Sequence, residues 1–415
     1  MHLYDVPMIF ILGGLVLYVV LGGADYGAGF WQLAAGRGEG ADELRDHAHH
    51  SMGPVWEANH VWLIFVLTVL WTAYPVAFGS TASTLELPLF AAAIGIVFRG
   101  AAYALRSAAS NPRELHVIES ITGVSSIITP FSLGLVVGAI AARRVPVGNA
   151  SGSLISSWLS PVPVVIGVLA VAVSAYLAAV YLAADAARHD IPGLEGQMRT
   201  RGVGAGLVAG AMAAVGLIVV SSDDHRLFSA LTSGVPLVVV ICSALAGLAT
   251  LGLLVARHYE ASRYTAAAAV AAVIAAWGLA QEPVILPGLT LAQAAAPHDV
   301  LVAVTVAVLA GAVLLFPSLG LLFRLFLGGA LGEPAAPPQS RATEPAPGSA
   351  PRGGLAPGLL ARLAGACLIA GIGLLNLADA PLAHVIGVPC LLAFIVLAFG
   401  ALFPAGATWA AAGDD

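Results

Sequence analysis

The chain has 415 residues, of which 59% are hydrophobic and only 10% charged, with a formal net charge of -6 and a mean hydropathy of +0.93. An ordinary soluble domain carries about 25% charged residues, so this composition excludes a water-soluble enzyme and describes a protein that crosses a membrane many times. P-loop, dinucleotide and CxxCH fingerprints are absent, which points away from nucleotide and covalently attached haem chemistry, and nothing marks a nucleic-acid partner.

A hydrocarbon layer about 30 Å thick takes about 20 helical residues to cross. In chain order, apolar stretches of that length lie near 7–34, 52–75, 82–105, 116–142, 161–185, 203–221, 235–256, 264–281, 299–327, 358–378 and 383–403. The first begins Met1-His2-Leu3-Tyr4-Asp5 without a basic flank or a small-residue cleavage pattern, so it reads as a retained helix. Residues 1–327 form a nine-helix domain whose longest connections are 35–51, 143–160, 186–202 and 282–298. Residues 328–357, rich in Pro, Ala and Gly, read as a flexible linker on the cytoplasmic side. An appended two-helix hairpin at 358–403 and a tail at 404–415 complete the chain. The fold class is all-α and polytopic, with nine helices that divide naturally into two four-helix bundles and a peripheral helix.

All seventeen basic residues are Arg. If the helices alternate, the odd connections and adjoining helix ends hold Arg37, Arg45, Arg99, Arg106, Arg113, Arg188, Arg199, Arg201, Arg257 and Arg263, and the even ones only Arg143, Arg144 and Arg226. Cytoplasmic loops collect positive charge, which places the odd connections inside, the N-terminus outside and the C-terminus in the cytoplasm. Cys242, Cys367 and Cys390 stand far apart in apolar runs and read as buried small side chains.

Two segments break the apolar pattern with acids. The first is Gly22-Gly23-Ala24-Asp25-Tyr26-Gly27-Ala28-Gly29, and the second is Gly53-Pro54-Val55-Trp56-Glu57-Ala58-Asn59-His60-Val61-Trp62. An ionisable group within the bilayer costs roughly 2.5–3.5 kcal/mol or more, so it is a functional candidate by default. At 1.5 Å per residue, Asp25 lies ~13 Å from the inner end of the first helix, Glu57 ~8 Å into the second and Arg99 ~9 Å from the inner end of the third. Glu119 enters the fourth helix from the same side. Two readings remain open: a static ion-pair network holding four helices in register, or a hydrated route by which one acid carries a labile proton. Asn59 stands close enough to Glu57 to orient it, or serves only to pack helices; His60 adds a group that titrates near neutral pH. Trp31 reads as an interfacial anchor. His47, His49 and His50 belong to the first inner connection and only His60 and His384 look embedded, so haem ligation is not expected of this chain.

These segments, together with Leu87-Pro88-Leu89, Phe98-Arg99-Gly100, Gln281-Glu282-Pro283-Val284-Ile285-Leu286-Pro287 and Pro317-Ser318-Leu319, resemble subunit II of the cytochrome bd-type quinol oxidases, in order over residues 1–327. The resemblance implies a heterodimeric respiratory oxidase that oxidises quinol at the outer side and reduces dioxygen to water with cytoplasmic protons. It places haem b and haem d in subunit I and makes this chain their haem-free partner, itself not catalytic. It assigns Asp25 and Glu57 to the proton path with Arg99 beside them; Asn59, His60 and Glu119 join that set by position, and Trp56, Trp62, Gly27 and Gly29 are motif residues. A structural quinone or lipid in this subunit and a small accessory subunit are compatible with it. The chain departs from the pattern in lacking the first acid of Asp-Gly-Phe-Asp and in carrying Glu57, Ala58 and His60 within Trp-Asp-Gly-Asn followed by Gln or Glu. A proton-coupled secondary transporter using Asp25 and Glu57 is the competing reading, and a structural membrane scaffold is a third.

Overall fold

The computed structural model describes residues 2–36, 39–106, 112–191 and 193–327, with isolated positions between 362 and 397. The linker expected at 328–357 and the tail expected at 404–415 lie outside the described residues, as does most of the 358–403 hairpin, including His384. The chain separates into two compact units, Met1–Arg324 and Leu325–Asp415, and the helices that carry the acids belong to the first.

After a single 3-10 turn the elements run α1 (Val6–Ala34), α2 (Glu39–Ala73), α3 (Pro75–Thr84), α4 (Glu86–Arg106), α5 (Pro112–Ala141), α6 (Pro161–Arg188), α7 (Leu194–Asp223), α8 (His225–Leu231), α9 (Gly234–Val255) and α10 (Tyr259–Gln281). A small antiparallel pair, β1 (Val284–Leu286) with β2 (Leu289–Thr290), precedes α11 (Leu291–Ala294) and α12 (His298–Leu327). Among the described residues eight helices are long and apolar enough to cross a membrane, and a ninth span arises if Asn59–Ala73 and Pro75–Thr84, bent by 120°, are taken as one. The bend follows from Tyr74-Pro75: proline disfavours helical backbone in the residue before it, and α3 starts with that proline in its first turn.

Helix α1 packs on α2, α5, α6 and α10; α4 packs on α5; α7 and α10 pack on α6; and α9 packs on α7 and α10. Glycine permits the closest of these approaches. A Cβ on Gly27 would fall on the backbone of Ser174 and 2.6 Å from the Ala178 methyl, so α1 and α6 meet backbone to backbone, as small residues allow in membranes. Leu177, Ala178, Ala179 and Val180 of α6 are fully buried, the inner half of a central helix. By contrast, α12 is only 6% buried over its most apolar window.

Three expectations from the sequence give way to the structure. The connection 35–51 is helical from Glu39 onward, because Ala41, Leu44, Ala48 and Met52 form a buried stripe at helical spacing. His47, His49 and His50 therefore sit on α2, not in a loop. The 186–202 connection shrinks to the few residues between Arg188 and Leu194. Cys242 is exposed on α9, since an apolar run in a membrane can turn its side chains to lipid without cost.

Candidate functional site

Asp25 is 1% exposed in the C-terminal third of α1, where the neighbouring Gly22, Gly23, Gly27 and Gly29 leave room for partners from other helices. Arg99 of α4, 5% exposed, fills that room with a fork-to-fork contact: Nη2 donates to Asp25 Oδ1 at 2.5 Å and Nε to Oδ2 at 3.1 Å. Nη2 also donates to the Asp25 backbone carbonyl at 2.8 Å. Nη1 donates to the hydroxyl of Ser126 on α5, which in turn donates to the Thr122 carbonyl at 2.5 Å. A Cβ on Gly29 would lie 2.6 Å from Arg99 Nη1, so this glycine is the seat of the guanidinium. Arg99 also lies over the Tyr26 ring, 5.2 Å from its centroid, and the Tyr26 hydroxyl approaches that of Tyr18 at 3.5 Å. Bidentate pairing with further hydrogen bonds is the arrangement that offsets the desolvation of two buried charges.

Asn59 of α2 is fully buried and its Nδ2 donates to Asp25 Oδ2 at 3.1 Å. Its amide nitrogen thus ties α2 to α1 at the Asp25 carboxylate. Asn59 Oδ1 is buried without a hydrogen-bond partner among the described residues. An orphan acceptor beside a buried carboxylate is suited to a water molecule or a proton donor. Trp62, one turn further along, is buried with Tyr18 and Tyr26 and stacks on Phe316 with centroids 6.4 Å apart, a packing role. The side chains of Trp56 and Glu57 lie outside the described residues, although their backbone belongs to α2. His60 is half-buried on the same helix. Trp31, expected as an interfacial anchor, donates instead to the Ala175 carbonyl at 2.8 Å and ties α1 to α6.

Glu119 of α5 lines the same cavity as Asp25 and Arg99 without touching either. It stands between Arg45 Nε and Arg106 Nη2, each 3.6 Å away, close enough for attraction and too far for a good hydrogen bond. Arg106 Nη2 donates to Asp46 at 2.8 Å and Arg45 Nη1 to Asp42 at 2.7 Å, and both of those carboxylates are largely exposed. The charges thus form a column from the exposed N-terminal end of α2 and C-terminal end of α4 to a blind end at Asp25, Arg99 and Asn59. Arg45, Arg106 and Ser126 belong to it although nothing in the sequence singles them out; a serine inside a helix and an arginine near a helix end are too common to stand out.

A second polar group lies where α2 meets α6. Ser51 donates to Asp185 Oδ2 at 2.5 Å, and His47 and His189 each lie 3.8 Å from that carboxylate. Burial lowers the pKa of His47, opposed by its bond to the Leu182 carbonyl and by Asp185. Burial first, then Arg106, lowers His49 to about 4. Both imidazoles are therefore neutral near pH 7. Among the described residues no three His, Cys, Asp or Glu side chains gather as metal ligands.

The family described as Cytochrome bd terminal oxidase subunit II matches residues 3–326. Two curated relatives from Bacillus subtilis (strain 168) match shorter stretches. The chain is 28% identical over 134 residues to cytochrome bd ubiquinol oxidase subunit 2, covering 32% of this chain and 38% of that one. It is 26% identical over 126 residues to a putative cytochrome bd menaquinol oxidase subunit II, covering 30% and 35%. These alignments thus span little more than a third of either relative. The solved bd oxidase of Geobacillus thermodenitrificans contains a chain that superposes with a TM-score of 0.67 at 24% identity, over 79% of this chain and 99% of that one, a likeness of fold.

Proposed function

Because this chain belongs to the cytochrome bd terminal oxidase subunit II family, we propose that it is the haem-free membrane partner in a respiratory quinol:oxygen oxidoreductase and contributes to proton uptake from the cytoplasm. The observation that carries the proton role is the polar column itself: exposed acids at one end, Glu119 and two arginines midway, and a buried Asp25 with an unsatisfied Asn59 oxygen at the other. The reaction that consumes protons is the reduction of dioxygen to water, for which quinol supplies electrons in the larger haem-bearing subunit I. Haem b and haem d belong to that partner on this reading. In support, the histidines that gather here, His47 with His189 around Asp185 and His49 beside His50, do so at inner helix ends and not within the spans.

The residues divide the work. Asp25 and Glu57 are the acids through which a proton is relayed, and Arg99 holds the Asp25 carboxyl group in place between transfers. Asn59 positions the Asp25 carboxylate and offers its free oxygen to an arriving donor. Glu119 supplies the acid nearer the inner face, and His60 extends the α2 side. Glu57→Gln in the assembled complex is expected to slow quinol-driven oxygen uptake about 100-fold or more, the scale of losing one proton-transfer group, while leaving the haem spectrum intact. Unchanged turnover would remove Glu57 from the path.

The competing transporter reading asks for a site built from broken helices. The one sharp break among the described spans, at Tyr74, lies ~22 Å along α2 from Asn59, away from the acids. That distance favours the oxidase reading.

A further inference from the structure

Two cavities meet at the inner ends of α2 and α4. The outer one is an open vestibule of about 400 Å³ lined by Asp46, His49, His50, Tyr103, Ala104 and Arg106. The inner one, about 20 Å³, reaches Asp25, Arg99 and Glu119. His49, Tyr103 and Arg106 line both, so the two cavities share a wall of these three side chains. The vestibule holds on the order of ten waters at about 30 Å³ each, and the inner cavity roughly one.

We propose that the Asp25–Arg99 cavity opens to the inner aqueous phase through this vestibule, with the His49 and Tyr103 rings as the gate; the inference rests on the proton-uptake reading above. The two rings lie 4.8 Å apart between centroids, tilted by 40°, and moving them apart joins the two spaces. Asp46 and Arg106, bonded at 2.8 Å, keep the outer space wet. Glu119 has no hydrogen bond among the described residues and lies 3.6 Å from both of its arginines, so its oxygens are free to accept from water at the rim. The groups acting on His49 are Arg106 and Arg99 of α4, and His50 and Asp46 of α2. Burial and the arginines keep the imidazole neutral, so the gate adds no positive charge against an entering proton.

The test places Ala104→Cys in the complex with Cys242, Cys367 and Cys390 replaced by alanine, in inside-out membrane vesicles. Sulfonatoethyl methanethiosulfonate, which does not cross the bilayer, should label the Ala104→Cys variant and reduce quinol-driven oxygen uptake at least fivefold relative to the same variant unlabelled. Dithiothreitol should restore it, and the haem spectrum should not change. Ala104→Trp fills the vestibule without reagent, and its turnover should fall more steeply with rising pH than that of the parent, as a restricted proton supply requires and a packing defect does not. Absence of labelling, or labelling with full turnover, would overturn the vestibule as the mouth. Asp25→Asn measured beside it separates the causes: slowed uptake there with no effect at position 104 sinks only the gate, whereas unchanged uptake in Asp25→Asn removes the proton-uptake reading and the gate with it.

Discussion

The Asp25–Arg99 pair is held from four helices at once: α1 gives the acid and the glycine seat, α4 the guanidinium, α5 the Ser126 hydroxyl and α2 the Asn59 amide. Breaking such a pair from one side leaves an uncompensated buried charge, so Arg99→Ala should destabilise the subunit by about 3–5 kcal/mol and lower the yield of assembled complex. Asp25→Asn keeps the shape but leaves one acceptor where Arg99 has two, and strands its positive charge; thermal loss of the haem spectrum in both variants measures the two costs. A normal yield and midpoint for Arg99→Ala would argue against the network. His49 adds a pH dependence. Its pKa falls from 6.5 to about 4 on folding, so the unfolded chain binds more protons between those values and stability declines as pH falls from about 6.5 to about 4. His49→Gln should flatten that stretch of the stability curve, and an unchanged curve would show that His49 does not lie buried as described. Asp25 and Arg99 are legible in the sequence because charge in an apolar run is conspicuous. Ser126 and Tyr26 are not, since their roles depend on which faces of α1 and α5 meet.

The first four turns of α2 are the element that decides how the site communicates with water. They look like a charged loop by composition, yet Leu44, Ala48 and Met52 bury one face while Ala48, His49 and Met52 close over the cavity at Asp25. One side is pinned by Asp46 to Arg106 and by Arg45 to Glu119, and the other by Ser51 to Asp185 and His47 to the Leu182 carbonyl. Leu44→Ala should cost about 2–5 kcal/mol, as core leucine truncations do, and is read from the thermal midpoint of the complex; a shift below measurement error would mean this segment is not packed in the assembly. Hydropathy misreads the segment because charged residues on its outer face lower the local average below that of a span, although a helical stripe is present. The α2–α3 bend is likewise hidden, since an apolar run continues through Tyr74-Pro75. Hydropathy alone records that a segment is apolar and not which way it runs.

At the scale of the whole molecule, the spans are legible because bilayer thickness fixes helix length, and the eight unbroken ones lie where the apolar runs predict them. Side-chain burial is not, because a lipid-facing helix and a core helix are equally apolar, as exposed Cys242 and the lightly buried α12 illustrate. For the same reason the broad apolar surfaces of α4 and α12 do not distinguish lipid from a partner subunit. The central claim, that this chain is one half of an oxidase, is therefore tested by what it carries with it. A reduced-minus-oxidised optical spectrum of material purified through a tag on this chain, with quinol-driven oxygen uptake on the same sample, reads both partner and activity. Haem b and haem d bands with oxygen uptake are expected; a colourless protein without a partner would contradict that claim and favour a proton-coupled transporter.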